Sequence, residues 1–282
     1  MINLQDKTQT MTYKFQKIFG NKKAVIGMIH LQALPGTPKY AGSIDHIIQK
    51  ALDEARIYRQ AGIDALMIEN MHDVPYTKND VGHEISSLTA VIGYLIKQET
   101  GLPLGIQVLA GANKAALAAA LSAGGDFIRA EGFVFGHLAD EGYIDSQAAE
   151  LLRYRKHIGA EHIAIFTDIK KKHSSHALTA DLNITEMAHA AEFFLSDGLI
   201  ITGMHTGDTA DIDELKKVKN ATDLPVLVGS GVNLDNITDY LAVADALIIG
   251  SYFKKDGFWT KDVDAKRVEA LMQKAVISTK IL

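Results

Sequence analysis

The chain has 282 residues, of which 47% are hydrophobic and 22% are charged, a composition typical of a globular protein with a large core. Its net charge is −5 and its densest basic run is Lys170–Lys172, which argues against a nucleic-acid partner because such a surface needs clustered basic residues. The absence of cysteine excludes disulfides, thiolate metal sites and a cysteine nucleophile.

No apolar stretch is long enough to cross a bilayer, so we expect no membrane partner. A reducing compartment suits a chain without cysteine, and we expect the cytoplasm. Residues 1–20 contain neither an apolar signal core nor arginine, which predicts no targeting signal there. We expect residues 1–21 to form an N-terminal extension, helical over residues 11–19, and residues 22–282 to form one domain.

Eight apolar runs alternate along the chain with segments of helical periodicity. The runs cover residues 24–30, 64–69, 104–109, 126–131, 162–167, 197–202, 226–229 and 245–250. The helical segments cover residues 43–61, 83–98, 113–123, 146–157, 184–195, 211–219, 235–241 and 263–276. Continuous apolar runs are typical of parallel strands that are covered on both faces. The order predicts an α/β fold, a single (β/α)8 TIM barrel.

A barrel of this kind carries its chemistry on the loops that follow the strands. Four of these loops are long and are predicted to be binding loops, at residues 30–42, 70–82, 132–145 and 170–183. Four runs begin with an aspartate, at Asp64, Asp126, Asp197 and Asp245. These aspartates fall at the opposite rim of the barrel, where we expect a structural role.

The loops after the last three strands are rich in glycine. Glycines let backbone N–H groups approach an anion, and the loops after strands 7 and 8 form the usual phosphate site of barrel enzymes. We therefore predict phosphate or substrate binding by Thr202, Gly203, Gly229, Ser230, Gly231, Gly250 and Ser251, with Asn70 from the second loop. The alternative is that these glycines only turn the chain.

Polar residues close the first five strands, where a core does not need them. If their side chains point inward, carboxylates, a guanidinium and an imidazole meet over the barrel mouth, which suits acid–base catalysis. Our catalytic candidates are His30, Glu69, Arg129, Glu131, Asp168, Lys172 and His173, with Asp168 first among them.

Each candidate has a structural alternative. His30 fits equally a histidine held by hydrogen bonds, and Arg129 fits a structural ion-pair network. Lys170–Lys172 fits a solvated run, although Lys170 is also the only candidate for a Schiff-base lysine on the fifth strand. Glu69, Asp73 and Asp168 supply ligands for a divalent cation, but no compact ligand motif exists, and we assign no cofactor.

Several stretches resemble the BtpA/SgcQ family over residues 22–270. They are residues 24–38, 64–70, 73–75, 151–155, 168–173, 202–203, 206–207 and 227–232. The resemblance implies a TIM barrel akin to the ribulose-phosphate-binding barrels. Some members of that family are linked to photosystem I biogenesis and others to sugar metabolism, so the resemblance implies no single reaction. The chain departs from many bacterial members at residues 109–113, which lack an arginine and an aspartate, and at Glu131, which is an added carboxylate.

Three functions remain open. The first is an enzyme that acts on a small phosphorylated metabolite, a sugar phosphate or a nucleotide-like ligand, by isomerase-type or lyase-type acid–base chemistry. The second is a non-enzymatic assembly or regulatory factor of the photosystem-biogenesis type. The third is a transferase for a hydrophobic-tailed diphosphate, which needs an apolar groove beside the phosphate loops. Barrels of this type often associate, so a homo-oligomer is also open.

Overall fold

The computed structural model describes residues 13–203 and 208–281. Eight parallel strands close into a barrel, and each strand pairs with the strands before and after it. They are β1 (Ala24–His30), β2 (Ala65–Glu69), β3 (Leu104–Gln107), β4 (Phe127–Ala130), β5 (Ala164–Asp168), β6 (Gly198–Ile201), β7 (Val226–Val228) and β8 (Ala246–Ile249). The predicted (β/α)8 fold is thereby confirmed.

A helix follows each strand and packs outside the barrel. These helices are α1 (Ile44–Gln60), α2 (His83–Thr100), α3 (Asn113–Ala123), α4 (Ala148–His157), α5 (Ile184–Phe193), α6 (Ile212–Ala221), α7 (Ile237–Val243) and α8 (Ala265–Ile281). Ser43 caps α1, and Asn183 forms a capping box with Glu186 at α5. Gly101 and Gly124 end α2 and α3 in the left-handed conformation that favours glycine.

Alternate strand residues point into the barrel, and their identities change along the strand. The apolar ones, such as Met28, Met67 and Phe166, pack together in a separate interior cluster. Two residues further along, the same inward rows end in His30, Glu69 and Asp168 at the mouth. The barrel interior is therefore apolar along the strands and polar at their carboxyl ends, where the ionisable side chains are concentrated.

The opposite end of the barrel is closed by residues 13–19, which are helical. Phe15 and Phe19 are buried there against the interior cluster. The ring of Phe19 lies 5.8 Å from that of Phe127, and the ring of Phe15 lies 6.0 Å from that of Phe166. This segment therefore supplies part of the barrel core.

The four strand-opening aspartates lie at the same closed end and repeat one arrangement. Each precedes an even-numbered strand and accepts a hydrogen bond from a backbone N–H of the odd-numbered strand before it, at 2.8–2.9 Å. Each also pairs with at least one lysine. The aspartates thus join strands in pairs, far from the mouth.

The loops after β4 and β5 are more ordered than long binding loops need to be. They contain a three-stranded antiparallel sheet of His137–Ala139, Gly142–Ile144 and Ser174–Ser175. Strands of two or three residues are too short to be predicted from sequence periodicity.

Among the described residues, no helix has the length and hydropathy of a membrane span.

Candidate functional site

A cavity of about 190 Å³ opens at the carboxyl ends of the strands. Its lining joins two sets of residues that lie far apart in the chain. One set is polar and comes from β1, β2, β4 and the loop after β5: His30, Glu69, Arg129 and Lys172. The other set comes from the loops after β7 and β8: Gly229, Ser230, Gly231, Gly250 and Ser251. The structure therefore gathers much of the predicted site around one opening.

Arg129, which lines the cavity, forms a two-point ion pair with Asp168. Nε and Nη2 of Arg129 donate to the two carboxylate oxygens of Asp168 at 2.9 and 2.8 Å. Burial opposes the charge of Arg129, but Asp168, with Glu69 and Glu131, outweighs that effect and raises the pKa of the guanidinium. Both oxygens of Asp168 are occupied, so this carboxylate holds Arg129 in place.

His30 and Glu69 face each other across β1 and β2. His30 Nε2 lies 3.7 Å from Glu69 Oε2, beyond a direct hydrogen bond. His30 Nδ1 lies 3.2 Å from the carbonyl oxygen of Trp259, which fits an Nδ1–H donor and leaves the Nε2 lone pair towards Glu69.

The two groups are buried with opposite effects on their proton affinities. Burial, and then the charge of Lys254, holds the pKa of His30 well below its ordinary value. Burial raises the pKa of Glu69, against the opposing charges of Arg129 and Lys172. A neutral imidazole therefore lies beside a carboxyl group that holds its proton more tightly than usual, an arrangement suited to proton transfer.

Lys172 lines the cavity beside Glu69 and Arg129. Its side chain makes no hydrogen bond, and no ion pair within 4.0 Å, with any residue in the described part of the chain. Burial and the charge of Arg129 lower its pKa, against the attraction of Glu69.

The glycine turns at the other side of the cavity are tightly fitted. Gly231 has φ +69°, and a Cβ there would lie 2.2 Å from the carbonyl oxygen of Asp208. A Cβ on Gly250 would lie 3.1 Å from Nε2 of His30. Ser230 Oγ accepts from the N–H of Gly203 at 2.6 Å and donates to the Asp208 carbonyl at 3.0 Å. Gly203 and Ser230 thus hold the loops after β6 and β7 together.

Thr202 lies beneath these turns, with its Oγ1 buried and unpaired among the described residues. The predicted motif of residues 202–203 and 206–207 lies partly outside the described residues.

His173, a predicted catalytic residue, is half-buried next to Lys172 and has φ +54°.

Asn70 and Asp73 lie in the wall of the mouth, where they tie three loops together. Asn70 accepts from the N–H of Leu109 at 2.7 Å and donates to Asp73 at 2.8 Å. Asp73 also accepts from the N–H of Leu34 at 2.8 Å. Among the described residues, no three carboxylate or histidine side chains are grouped to hold a metal ion, and Asp73 and Asp168 are already engaged.

Glu131 faces the loop after β3. It accepts from the side chain of Gln107 at 3.2 Å and from the N–H of Gly111 at 2.9 Å, and it lies 3.4 Å from Lys171 Nζ. The sequence pattern predicts Glu131 on the same face as Arg129, but β4 ends at Ala130 and the strand alternation ends with it.

Arg267 lines the cavity and is absent from the residues that the sequence points to. Its Nε donates to the carbonyl oxygen of Tyr252 at 2.6 Å, and its guanidinium lies 4.3 Å from the centre of the Tyr252 ring. Arg267 is in the first turn of α8, where a cation is unfavourable beside the positive end of the helix dipole. A positive charge in the first turn of a helix is the sequence feature that could have marked Arg267 as a candidate site residue.

Three known proteins show how widely sequences like this one occur. A Caenorhabditis elegans protein, named as uncharacterised and mitochondrial, is 46% identical over 258 residues, which cover 90% of this chain and 93% of its own. An uncharacterised protein of Methanocaldococcus jannaschii is 37% identical and covers 90% and 95%. The photosystem I biogenesis protein BtpA of Synechocystis is 32% identical and covers 90% and 88%.

Solved structures of low sequence identity share the barrel. Thiamine phosphate pyrophosphorylase of Pyrococcus furiosus aligns with a TM-score of 0.56 at 15% identity, over 92% of this chain and 98% of its own. The N-(5'-phosphoribosyl)anthranilate isomerase of the same organism aligns with a TM-score of 0.53 at 14% identity, over 90% and 99%. At such identities the likeness shows the fold alone. The sequence model of the BtpA family matches residues 21–276, and the chain belongs to the BtpA family.

Proposed function

We propose that this protein is an enzyme that acts on a small phosphorylated metabolite, a sugar phosphate or a nucleotide-like compound, by acid–base chemistry of the isomerase or lyase type. The observation that carries the proposal is one cavity in which the glycine turns after β7 and β8 face Glu69, His30, Arg129 and Lys172. The proposed anion-binding turns and the proton-transfer groups therefore line the same cavity.

The phosphate would lie against Gly229–Gly231 and Gly250–Ser251. Backbone N–H groups at such turns bind anions, and a Cβ on Gly229, Gly231 or Gly250 would press against neighbouring protein atoms, so these turns keep their shape only with glycine. Arg267 supplies a cation at the same end, with its Nε held by Tyr252. The names of the structural neighbours support this choice, since a thiamine phosphate and a phosphoribosyl compound appear in them.

The reacting part of the substrate would lie over Glu69 and His30. Glu69, with its raised pKa, exchanges protons with the substrate, and the free Nε2 of His30 serves as its proton partner. Arg129 stabilises developing negative charge, oriented by Asp168. We thus assign Asp168 to positioning, because its two oxygens already accept from Arg129.

The alternative is an assembly factor, as the name of the Synechocystis relative suggests. A docking role does not need buried ionisable groups that perturb one another in a single mouth, and such groups are characteristic of active sites. His30, Glu69, Arg129 and Lys172 are such a group, which favours the enzyme.

A thermal-shift screen tests the proposal. The probes are ribose 5-phosphate, ribulose 5-phosphate, dihydroxyacetone phosphate and AMP, each beside its unphosphorylated counterpart. A ligand that binds only the folded protein raises the melting temperature, and a concentration of about 100 times Kd adds about 2.7 kcal/mol. We expect at least one phosphorylated probe to stabilise the protein while its counterpart does not.

Arg267→Gln should reduce that stabilisation, whereas Arg56→Gln, on the outer helix α1, should leave it unchanged. The phosphate site is refuted if no phosphorylated probe raises the melting temperature. It is equally refuted if Arg267→Gln and Arg56→Gln respond alike to every probe.

A further inference from the structure

Lys172 differs from Lys171 and Lys254, the buried lysines in the loops after β5 and β8. Lys254 Nζ lies 2.6 Å from Oε2 of Glu54, and Lys171 Nζ lies 3.4 Å from Oε2 of Glu131. Lys172, in contrast, has no such partner among the described residues and lines the cavity beside Glu69 and Arg129. Its amine is therefore open to a ligand.

The surroundings of Lys172 favour the neutral amine. Burial removes the water that stabilises an ammonium ion, and the fixed charge of Arg129 repels a second positive charge. Both effects lower the pKa of Lys172, and a lysine that loses its proton in this way becomes a nucleophile for carbonyl carbons.

Lys170 is less suited to that role. It has φ +55° and lines a separate, water-sized cavity beside His137 and His176. The sequence leaves Lys170 after the fifth strand as the Schiff-base candidate because the sixth strand ends in Thr202, but Lys172 is the lysine that lines the larger cavity.

We propose that Lys172 forms a Schiff base with the carbonyl carbon of a small phosphorylated ketone or aldehyde. The inference rests on the proposed function, because the same glycine turns hold the phosphate. The distribution of groups fits such a substrate, with the amine and Glu69 at one side of the cavity and the anion-binding turns at the other.

The reaction balances with the groups present. The Nζ lone pair forms a bond to the carbonyl carbon while the C=O π pair moves to oxygen, and a proton passes from nitrogen to that oxygen to give a neutral carbinolamine. The carboxyl group of Glu69 then gives its proton to the hydroxyl, which leaves as water, and the nitrogen lone pair forms the C=N bond of the iminium ion. The Glu69 carboxylate next removes a proton from the neighbouring carbon or hydroxyl, and the electron pair flows towards the iminium nitrogen. A proton returned by Glu69 to carbon restores the iminium ion. Addition of water then releases the product and regenerates the amine, and the excess proton returns to Glu69.

Reductive trapping tests the proposal. The protein is incubated with dihydroxyacetone phosphate, ribulose 5-phosphate or glyceraldehyde 3-phosphate and then with sodium borohydride, which reduces an iminium to a stable secondary amine. Intact mass and peptide mapping locate the adduct. We expect one adduct on the peptide that carries Lys172, its loss in Lys172→Met, and its retention in Lys170→Met. Because Lys172→Met replaces an amine that has no partner among the described residues with an apolar side chain of similar length, we expect this variant to fold at least as stably as the wild type.

The outcomes separate this inference from the proposed function. A phosphorylated carbonyl compound that raises the melting temperature but gives no borohydride-dependent adduct overturns the Schiff base and leaves the phosphate site intact. Adducts spread over many lysines and unchanged in Lys172→Met also overturn it. If no phosphorylated probe binds or is trapped, both proposals fail.

Discussion

The guanidinium of Arg129 and the carboxylate of Asp168 are joined by two parallel hydrogen bonds across the neighbouring strands β4 and β5. Neither side chain is more than 4% exposed. Planar two-point pairing fixes the orientation of the arginine as well as its charge. Gly229 lies close to the same guanidinium, since a Cβ built on it would be 3.3 Å from Nη2 of Arg129. Asp168, at the end of β5, therefore fixes the position of the Arg129 guanidinium in the cavity lining.

Asp168→Asn should destabilise the protein strongly. The substitution leaves the Arg129 charge buried without its counter-charge, and removal of one partner of a buried ion pair costs about 3–5 kcal/mol. Urea denaturation monitored by circular dichroism measures the loss. The matched control is Asp213→Asn, an exposed partner of Lys216, for which we expect a change within about 0.5 kcal/mol. Equal effects of the two substitutions would contradict a stabilising role for the buried pair.

The Lys254–Glu54 pair offers a second test, because it joins the loop after β8 to α1. Lys254 Nζ lies 2.6 Å from Glu54 Oε2, and Glu54 Oε1 has no hydrogen-bond partner among the described residues. Lys254→Met should lower the free energy of unfolding by about 3–5 kcal/mol, since it strands the carboxylate. Lys254→Met with Glu54→Leu should regain most of that loss. Losses that simply add in a double-mutant cycle would show that the pair is not coupled.

Much of the fold follows from the sequence, and the structure gives the reason. Asp64, Asp126, Asp197 and Asp245 recur because each accepts an N–H at the edge of a neighbouring strand. The same hydrogen bond is made at four places in the barrel, so an aspartate recurs before four of the apolar runs. The start of α1 was predictable for a similar reason, since Ser43 accepts a hydrogen bond from one of the backbone donors that every helix start leaves unpaired.

The directions of the polar side chains were predictable only as far as the strands extend. His30, Glu69, Arg129 and Asp168 lie on or at the end of strands, so alternation places them at the mouth. Beyond the last strand residue no periodicity applies, and the directions of Glu131 and Lys172 depend on loop geometry. Arg267 required knowledge of how α8 packs, because no local pattern relates it to glycine turns many residues earlier in the chain.

Phe19 should be essential to the closed end of the barrel, although the family model begins at residue 21. Its ring is 4% exposed and packs on Phe127 and Phe166. Phe19→Ala removes that packing and opens a cavity, which should cost about 3–5 kcal/mol in a urea titration. Tyr13→Ala is the control, because Tyr13 is 61% exposed and should change stability by about 0.5 kcal/mol or less. A Phe19→Ala variant as stable as Tyr13→Ala would mean that the segment adds nothing to the core.

Acid should destabilise the protein through its buried histidines. Burial, and then the charge of Lys171, lowers the pKa of His137 from 6.5 to about 4. Between these values the unfolded chain binds a proton at this residue and the folded protein does not, so the free energy of unfolding falls as the pH falls from 6.5 towards about 4. The lowered pKa of His30 acts with the same sign. The raised pKa of Glu69 acts with the opposite sign above 4.5, where only the unfolded carboxyl has lost its proton.

His137→Gln removes one of these protonation sites without touching the cavity. Its urea midpoint should therefore fall less than that of the wild type between about pH 7 and about pH 4.5. Part of the fall should remain, because His30 is still present. His46→Gln, at an exposed position, is the control and should retain the full wild-type fall. The prediction is contradicted if the urea midpoints of His137→Gln and His46→Gln fall by the same amount on acidification. His137 would then not stay neutral in the folded protein over this pH range, and the burial of its Nε2 would not affect stability.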